Sequence, residues 1–371
     1  MTEHTRVAVI GGGIVGCSIL YHLAELGWTD IVLLERTELT AGSTWHAAAN
    51  GNTFMTNPAH LRLVMHSMDH WENLEKMTGQ PTSFHHVGGL LMAESQDRYD
   101  ELHRIQGIGE KNGVHYDFLD ADQIVEMAPI VAPEGVLGAL FDPYGGHIDP
   151  YGLTHAYAKG ARNMGAKVMR NSPVTELHPQ ADGTWHVVTP DQTIHAEIIV
   201  NAAGFRANEI AALTKARLPM MAMQHHYIIT EPVDEVMVLD KEFPVLRNSD
   251  RSFYMRREGQ GLLLGTYEAE SHTFGENGIP LDFGQELLPG DLDRIAPFLE
   301  GAMTRVPCMQ RAGIKRVVNG PFCFTPDVSP LLGWMPSQRN HFVAAGFLAG
   351  INMGGGFGKM CAQWMVEGAP E

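Results

Sequence analysis

The sequence predicts an α/β protein, α+β overall, in which a parallel-sheet domain is interrupted by a domain built on an antiparallel sheet. The first 36 residues alternate a buried strand, a glycine loop, an amphipathic helix and a second buried strand. Residues 219–319 contain strand-like segments separated by turns. The last 40 residues return to a strand, a glycine-rich turn and a helix. We therefore expect the first and last parts to form one domain around an inserted one.

The N-terminal unit is the clearest part of the pattern. Arg6–Ile10 is mostly apolar and predicts a buried strand. Apolar residues then recur at helical spacing over 14–26, and Gly27 stands where a C-terminal cap belongs. Ile31–Leu34 predicts a second buried strand, which ends at Glu35.

The next hundred or so residues carry weaker signals. Residues 37–60 lack periodicity and predict a long loop, which in a compact domain is usually functional. Helices are predicted over 61–77 and 96–112, with a strand over 86–93 between them. Residues 143–150 are rich in turn formers.

The remaining elements follow from composition and turn signals. An alanine-rich helix is predicted over 153–164, a hairpin around Asp182-Gly183 and a buried strand over 197–200. Further strands are predicted over 222–230, 252–257, 261–267, 314–319 and 341–345.

These elements divide the chain into two expected domains. Residues 1–84, 140–218 and 320–371 are expected to form the parallel-sheet domain, and residues 85–139 and 219–319 the antiparallel one. A chain of 371 residues with 44% apolar residues is long enough to bury two cores.

Charge and cysteine content exclude several classes. The formal charge is −17 and no basic run occurs, so nucleic acid is not an expected partner. Four scattered cysteines form no CxxC pair, which predicts free thiols in a reducing compartment and no metal site. There is no apolar run of membrane-spanning length and no secretory signal, so we expect a cytoplasmic protein without a membrane anchor.

The N-terminal loop carries a dinucleotide-binding motif. Gly11, Gly13 and Gly16 form G-x-G-x-x-G between a strand and a helix, as in Rossmann-type domains. The glycines permit a tight turn, the approach of a pyrophosphate and close helix packing, and the helix N-terminus favours phosphate. Glu35 lies 19 residues after Gly16, where a carboxylate binds ribose hydroxyls. A structural glycine turn is the alternative.

The motif alone does not distinguish NAD from FAD. A second G-x-G-x-x-G is missing from the middle of the chain, which argues against a flavin enzyme that also binds NAD(P)H. A glycine cluster near the C-terminus favours FAD, because bare backbone there would reach the carbonyl edge of the flavin ring; a flexible loop is the alternative. Its members are Gly350, Gly354, Gly355, Gly356 and Gly358.

Several segments resemble one enzyme family. The segment at 41–48, AGSTWHAA, is similar to the flavin-attachment motif of the dimethylglycine dehydrogenase, sarcosine dehydrogenase and dimethylglycine oxidase family. The resemblance covers essentially the whole chain. It continues through GHIDP at 146–150, DGTW at 182–185, VNAAGF at 200–205, QHHY at 224–227, VNGP at 318–321 and the C-terminal glycine run.

The resemblance implies that the cofactor is FAD and that His46 bonds covalently to its 8α-methyl carbon. A neutral imidazole nitrogen suits that chemistry. This chain has Ala49-Asn50 where relatives commonly have Gly-Leu, and Arg206 where some have an aromatic residue. Together with the glycine motif and the turn after residue 200, the resemblance gives the expected cofactor-binding set. It comprises Gly11, Gly13, Ile14, Val15, Gly16, Glu35, Arg36, Gly42, Ser43, Thr44, Trp45, His46, Ala47, Ala48, Ala49, Asn50, Val174, Ala203, Gly204, Arg206, Gly346, Phe347, Leu348, Ala349, Gly350 and Ile351.

The implied reaction is oxidation of an N-methyl amine, with dimethylglycine as the favoured substrate. A hydride passes from an N–CH₃ group to flavin N5, and hydrolysis of the resulting iminium releases formaldehyde. His225 and Tyr254 resemble the substrate-side histidine and tyrosine of the family and are the expected catalytic residues. His226 adjoins His225 and is expected to face the other side of a regular strand.

A substrate carboxylate would require a cationic or phenolic donor. Arg256 and Arg311 are the candidates, and His147 is expected to be structural.

The family also implies partners. Its members carry a folate-binding half after the flavin half, so tetrahydrofolate is expected in a missing domain or a separate partner. The electron acceptor is either oxygen or an electron-transfer flavoprotein. Oxidation of sarcosine or of another secondary or tertiary amine is the near alternative, and a non-catalytic flavin-bound subunit of a folate-linked complex is the distant one.

Overall fold

A computed structural model describes residues 3–370, which contain nineteen β-strands and nine α-helices. The strands are β1 Glu3–Ile10, β2 Ile31–Leu34, β3 Asn50–Gly51, β4 Gly89–Ala93, β5 Asp117–Leu119, β6 Gly138–Asp142, β7 Gly146–His147, β8 Lys167–Met169, β9 Glu176–Pro179, β10 Trp185–Val188, β11 Thr193–Asn201, β12 Met221–Thr230, β13 Val245–Asn248, β14 Phe253–Glu258, β15 Gly261–Thr266, β16 Thr273–Phe274, β17 Ile314–Phe324, β18 Leu331–Trp334 and β19 His341–Ala345. The helices are α1 Ile14–Glu25, α2 Pro58–Thr78, α3 Gln96–Lys111, α4 Ala121–Met127, α5 Pro150–Asn163, α6 Ala207–Ala212, α7 Asp234–Met237, α8 Leu292–Arg305 and α9 Gly350–Glu367.

The first sheet contains a parallel core that joins the two ends of the chain. Its strand order is β18-β19-β11-β1-β2-β8, and all neighbouring pairs from β19 to β8 are parallel. The predicted hairpin around Asp182-Gly183 is β9–β10, which pairs with β11. Since β19 lies two places from β1, the C-terminal segment returns to the N-terminal unit. The predicted Rossmann-type fold class is confirmed.

Alternate residues of β1 face opposite sides of this sheet. Val7 and Val9 pack with the helices α1, α2, α5 and α9, whereas Ala8 and Ile10 pack with Trp185 of the hairpin. Both faces are therefore covered, and this explains the continuous apolar run in β1.

The second sheet has the order β16-β12-β15-β14-β13-β4-β6-β5, with β17 along the other edge of β12. All of its pairs are antiparallel except β13 with β4, which are parallel. β4 comes from the early segment of the chain, and no hairpin links it to β13. Strands β6 and β17 cross the expected domain boundaries at residues 140 and 320, so we propose to place those boundaries at the strand ends.

Helix α8 lies in a region where the sequence predicted only strands. Pro297 lies inside this helix, and a proline inside a helical pattern argues against a helix when only the sequence is considered. At its end, the buried Arg305 donates to Glu94, which follows β4. Hydrogen bonds from Arg251, Asn248 and Arg305 outweigh burial and hold the pKa of Glu94 below its usual value.

The C-terminal glycines serve mainly in helix packing. Inside α9, a Cβ at Gly356 would lie 1.8 Å from the Leu63 carbonyl oxygen, and one at Gly358 would lie 2.2 Å from Ser18 Oγ. Bare backbone is therefore what lets α9 approach α2 and α1. Of the five glycines in the cluster, Gly350 lines the cavity described below, whereas Gly354, Gly355, Gly356 and Gly358 do not.

Over residues 3–370, none of the helices has the length and apolar character to cross a bilayer.

We predict that Gly356→Ala destabilises the protein by about 1–3 kcal/mol, because its Cβ would overlap backbone that has no room to move. Gly107→Ala is the matched control. Gly107 also lies inside a helix, α3, but a Cβ there meets nothing within 4 Å. The control should gain about 0.5–1 kcal/mol. Urea unfolding of both variants checks the pair, and equal effects would contradict the packing role.

Candidate active site

A cavity of about 860 Å³ lies between the two sheets, within the size range of ligand sites. One wall is formed where parallel strands end, at Ile10, Leu34, Ala202 and Ala345. The opposite wall is a face of the second sheet. In open parallel sheets, ligands bind at the carboxyl ends of the strands, at the point where the connections from two neighbouring strands leave on opposite faces of the sheet.

The glycine loop enters the cavity as the motif requires. Gly11 has φ +117°, and a Cβ there would lie 2.4 Å from the Ala202 carbonyl oxygen. A Cβ at Gly16 would lie 2.0 Å from the Gly11 carbonyl oxygen. Gly11 and Gly13 line the cavity, whereas Gly16 lies behind them and lets α1 approach the loop. The N-terminal amides of α1 are thereby directed to one end of the cavity.

Glu35 is fixed by backbone donors at the end of β2. Its Oε2 accepts from Gly12 N at 2.7 Å, and its Oε1 accepts from Thr37 N at 2.9 Å. The carboxylate keeps lone pairs for ribose hydroxyls, and its negative charge disfavours a ribose phosphate.

The predicted loop after β2 folds over the glycine loop. Thr44 Oγ1 accepts from Ile14 N at 3.2 Å, and Thr40 N donates to Gly12 O at 3.0 Å. Thr40 and Ala49 adopt left-handed backbone, with φ of 71° and 55°. The loop is thus an ordered wall of the cavity.

His46 presents an unpaired nitrogen inside this wall. Among the residues the structure describes, its buried Nε2 has no hydrogen-bond partner. Burial lowers the pKa of His46 to about 4, so the ring is neutral at physiological pH. Gly320 lies under it, since a Cβ there would be 2.4 Å from His46 Cε1. Trp45 meets the His46 ring edge-on at 5.5 Å but does not line the cavity.

The unpaired polar atoms provide a test of whether a flavin cofactor suits this cavity. Besides His46 Nε2, both polar atoms of the Asn50 side-chain amide are buried and have no partner within the described chain. Such groups are costly unless a ligand bonds them. With the glycine loop and Glu35 at the other end, the lining suits an elongated dinucleotide with a polar ring system.

The cavity brings together the whole expected cofactor set except Gly16 and Trp45. The lining members are Gly11, Gly13, Ile14, Val15, Glu35, Arg36, Gly42, Ser43, Thr44, His46, Ala47, Ala48, Ala49, Asn50, Val174, Ala203, Gly204, Arg206, Gly346, Phe347, Leu348, Ala349, Gly350 and Ile351.

Two arginines of this set are occupied by protein contacts. Arg206 Nη2 donates to Pro280 O at 2.6 Å and to Phe283 O at 2.9 Å, and its Nη1 pairs with Glu209. Arg36 Nη2 donates to Leu281 O. Both guanidinium groups thus hold residues 280–283 over the cavity.

At the other end, His225 and Tyr254 form a pair on the second sheet. His225 Nε2 lies 3.1 Å from the Tyr254 hydroxyl, and both residues line the cavity. Burial raises the pKa of Tyr254 well above its usual value, so the hydroxyl keeps its proton and donates. A Cβ at Gly265, directly across from Tyr254 on β15, would lie 1.9 Å from its Cζ atom. The missing side chain therefore leaves the space that the tyrosine ring occupies.

Glu268 fixes the orientation of both adjacent histidines. Its side chain is 2% exposed and lies 3.5 Å from His225 Nδ1 and 2.8 Å from His226 Nδ1. Although burial alone would raise the pKa of Glu268, the two histidines lower it far below its usual value. His225 Nδ1 therefore carries the proton toward the carboxylate, leaving Nε2 as an acceptor for Tyr254. His226 does not line the cavity.

Sequence reasoning missed Arg247. It lies directly opposite Tyr254 on β13, lines the cavity and donates to the Tyr267 hydroxyl at 3.3 Å. Its buried Nε has no partner among residues 3–370. An unpaired guanidinium atom in a cavity is a receptor for an anion.

The two arginines considered from the sequence lie elsewhere. Arg256 donates to Ala48 O and to Glu258, and the exposed Arg311 pairs with Glu235. Neither lines the cavity. The alternation of side chains along β13 would have predicted the face of the sheet on which Arg247 lies. It would not have predicted that β14 pairs with β13 and places Tyr254 opposite Arg247.

Comparisons with known proteins agree with this architecture. Mitochondrial dimethylglycine dehydrogenase of Mus musculus is 40% identical over 373 residues, covering 99% of this chain and 43% of the relative. Human mitochondrial sarcosine dehydrogenase is 36% identical over 380 residues, covering 99% and 40% respectively. The chain thus spans less than half the length of these curated relatives.

Solved structures show the same fold. L-proline dehydrogenase from P. horikoshii superposes with a TM-score of 0.87 at 24% identity, covering 100% of this chain and 96% of that one. The sequence profile of the family described as "FAD dependent oxidoreductase" matches residues 6–364. The chain belongs to the FAD dependent oxidoreductase family.

Proposed function

We propose that this chain oxidises the N-methyl group of a small N-methyl amino acid, with dimethylglycine as the favoured substrate. The observation that carries the proposal is the placement of Arg247 beside the His225–Tyr254 pair, in the same cavity as His46 and the glycine loop. An anion receptor and a proton acceptor side by side suit a compound that has both a carboxylate and an amine. The names of the two relatives support that substrate class.

The residues at the other end would hold the cofactor. FAD, when bound, accepts a hydride from the N-methyl carbon. The helix α1 amides and Glu35 would bind its pyrophosphate and ribose. We further propose that a neutral nitrogen of His46 is bonded to the 8α-methyl carbon. In forming that bond the methyl carbon would lose one hydrogen and the imidazole its ring proton, and the two electrons released would pass through the flavin to the electron acceptor named below. Its unpaired Nε2 and low pKa support this attachment.

The substrate would be oriented by its carboxylate. Arg247 has an unpaired Nε, and a carboxylate can accept two parallel hydrogen bonds from a guanidinium group. Tyr267, which already accepts from Arg247, would keep that side chain in place. The amine end then lies toward Tyr254, which faces Arg247 across the strand pair.

The histidine and tyrosine would remove the ammonium proton. As the substrate proton passes to the Tyr254 oxygen, the tyrosine proton passes to His225 Nε2, and Glu268 stabilises the resulting imidazolium. The freed nitrogen lone pair assists departure of the hydride. The iminium product takes up water and gives formaldehyde and the demethylated amine.

The one-carbon product and the electrons must leave the site. In this proposal tetrahydrofolate, in a partner domain or protein, receives the one-carbon unit. Oxygen or an electron-transfer flavoprotein accepts the electrons.

Anaerobic mixing tests the reaction directly. We expect dimethylglycine, or failing that sarcosine, to bleach the visible flavin band of the FAD-loaded chain and to release formaldehyde. Dimethylethylamine, which lacks the carboxylate, is the matched control and should bleach far more slowly. A flavin band unchanged by every N-methyl amine would instead identify a non-catalytic flavin subunit.

Arg247→Met should raise the half-saturating dimethylglycine concentration about 10- to 100-fold, because charged hydrogen bonds to the carboxylate are lost. The limiting bleaching rate should change much less. Arg311→Met removes an exposed arginine outside the cavity and should leave both values unchanged. Equal behaviour of the two variants would remove Arg247 from substrate binding.

His46→Ala tests the covalent bond. Acid precipitation of the normal protein should give a yellow pellet and a colourless supernatant, whereas the variant should release its flavin. Gly320→Ala, whose Cβ would overlap the His46 ring, should lower the attached fraction without removing the histidine. A yellow pellet from His46→Ala would place the attachment at another residue.

A further inference from the structure

Three histidines lie together outside the cavity, between α1 and α2. His22 belongs to α1, and His66 and His70 are four residues apart on one face of α2. One ring nitrogen from each lies within 4.8 Å of the other two. His22 Nε2 and His66 Nε2 are 3.3 Å apart. Tetrahedral zinc with Zn–N bonds of about 2.0–2.1 Å places its ligand nitrogens about 3.3–3.4 Å apart.

The first histidine is held in the form that binds metal. His22 Nδ1 donates to the Ser18 carbonyl oxygen at 2.8 Å, so its Nε2 carries a lone pair directed at His66. A backbone carbonyl that fixes the tautomer in this way is the usual outer partner of a metal-bound histidine.

The third ring has a nitrogen without a hydrogen-bond partner. His70 is 4% exposed, and its buried Nδ1 has no hydrogen-bond partner in the described part of the chain. A hydrogen bond between His22 and His66 would account for two of the rings but leaves His70 unexplained.

Nearby charges act in both directions. Lys359 on α9 lowers the pKa of all three histidines and would repel a cation. Asp69 acts on His70 in the opposite sense, and Glu25 interacts with Lys359.

A second group, formed by His85, His147 and Glu242, is a weaker candidate. Both histidines lie 2.9 Å from an oxygen of Glu242, and those hydrogen bonds already satisfy the atoms that would bind a metal.

We propose that His22, His66 and His70 form a zinc site, with water in the fourth position. Three imidazoles without a thiolate suit a borderline cation, and three histidines plus water is a known zinc coordination. The site would link α1, which starts at the glycine loop, to α2, which follows the loop that carries His46. None of its ligands lines the cavity, so the site acts as a clamp between helices rather than in the chemistry.

Metal analysis of the flavin-loaded chain tests the site. After chelation and dialysis, back-titration with Zn²⁺ should load one ion per chain and raise the melting temperature. Zinc-edge X-ray absorption should show histidine nitrogens at about 2.0–2.1 Å. His66→Gln is the primary variant, because that side chain is only partly buried and folding should survive its loss. It should bind zinc more weakly by at least about 100-fold, and His70→Gln should do the same.

Two control variants separate this site from other histidines. His103→Gln removes an exposed histidine of α3, and Glu242→Gln disables the second group; both should keep full zinc binding. The proposal is overturned by substoichiometric zinc in the normal protein, by unchanged affinity in His66→Gln, or by loss in Glu242→Gln alone.

Discussion

The structure depends on a backbone contact in which no side chain fits, between Gly16 at the start of α1 and the carbonyl of Gly11. A Cβ at Gly16 would lie 2.0 Å from that oxygen, so α1 is held against the glycine loop and its first amides face the cavity. The position of α1 then limits α9, whose Gly358 meets Ser18 with as little room. The dinucleotide-binding loop and the packing of α9 on α1 thus depend on the same steric constraint. A methyl group at Gly16 or at Gly358 would move α1, and would disturb both the loop and the helix packing.

The same constraint recurs on the opposite wall of the cavity. Gly320 and Gly265 lie where rings cross the second sheet, under His46 and Tyr254 respectively. Each glycine has no side chain, and the neighbouring ring fills the space that a side chain would take. The glycines therefore determine where the two rings lie that are proposed to act on cofactor and substrate. A sheet built of larger residues at these positions would displace the rings into the cavity, which is why the fold and the site cannot vary independently.

Local patterns were sufficient for the N-terminal unit. Strand, glycine loop, helix and acid lie within one short segment, so their spacing alone indicated the site. Strand alternation also separated His225 from His226 correctly. It was insufficient for Arg247, because the position of that residue depends on which residues of β13 and β14 lie opposite one another. It was also insufficient for Glu268, which follows β15 and reaches His226 because β15 pairs with β12. The packing role of the α9 glycines was also not predictable from local patterns, since the residues that they approach, such as Leu63 and Ser18, are distant in sequence.

Two carboxylates with little solvent exposure lie near opposite ends of the cavity: Glu35 lines one end, and Glu268 lies behind His225 at the other. Glu35 is held by backbone N–H groups, which carry no net charge, so its negative charge remains available to select hydroxyls over phosphate on a ribose. Glu268 is instead paired with His225 and His226, and its charge is used within the protein. That pairing orients His225 so that its Nε2 faces the Tyr254 hydroxyl. In the proposed reaction it would therefore determine which nitrogen of His225 accepts the proton that the substrate ammonium gives to Tyr254. In the proposed reaction, an unpaired carboxylate beside the amine would instead stabilise the ammonium form, whose nitrogen has no lone pair to assist hydride departure.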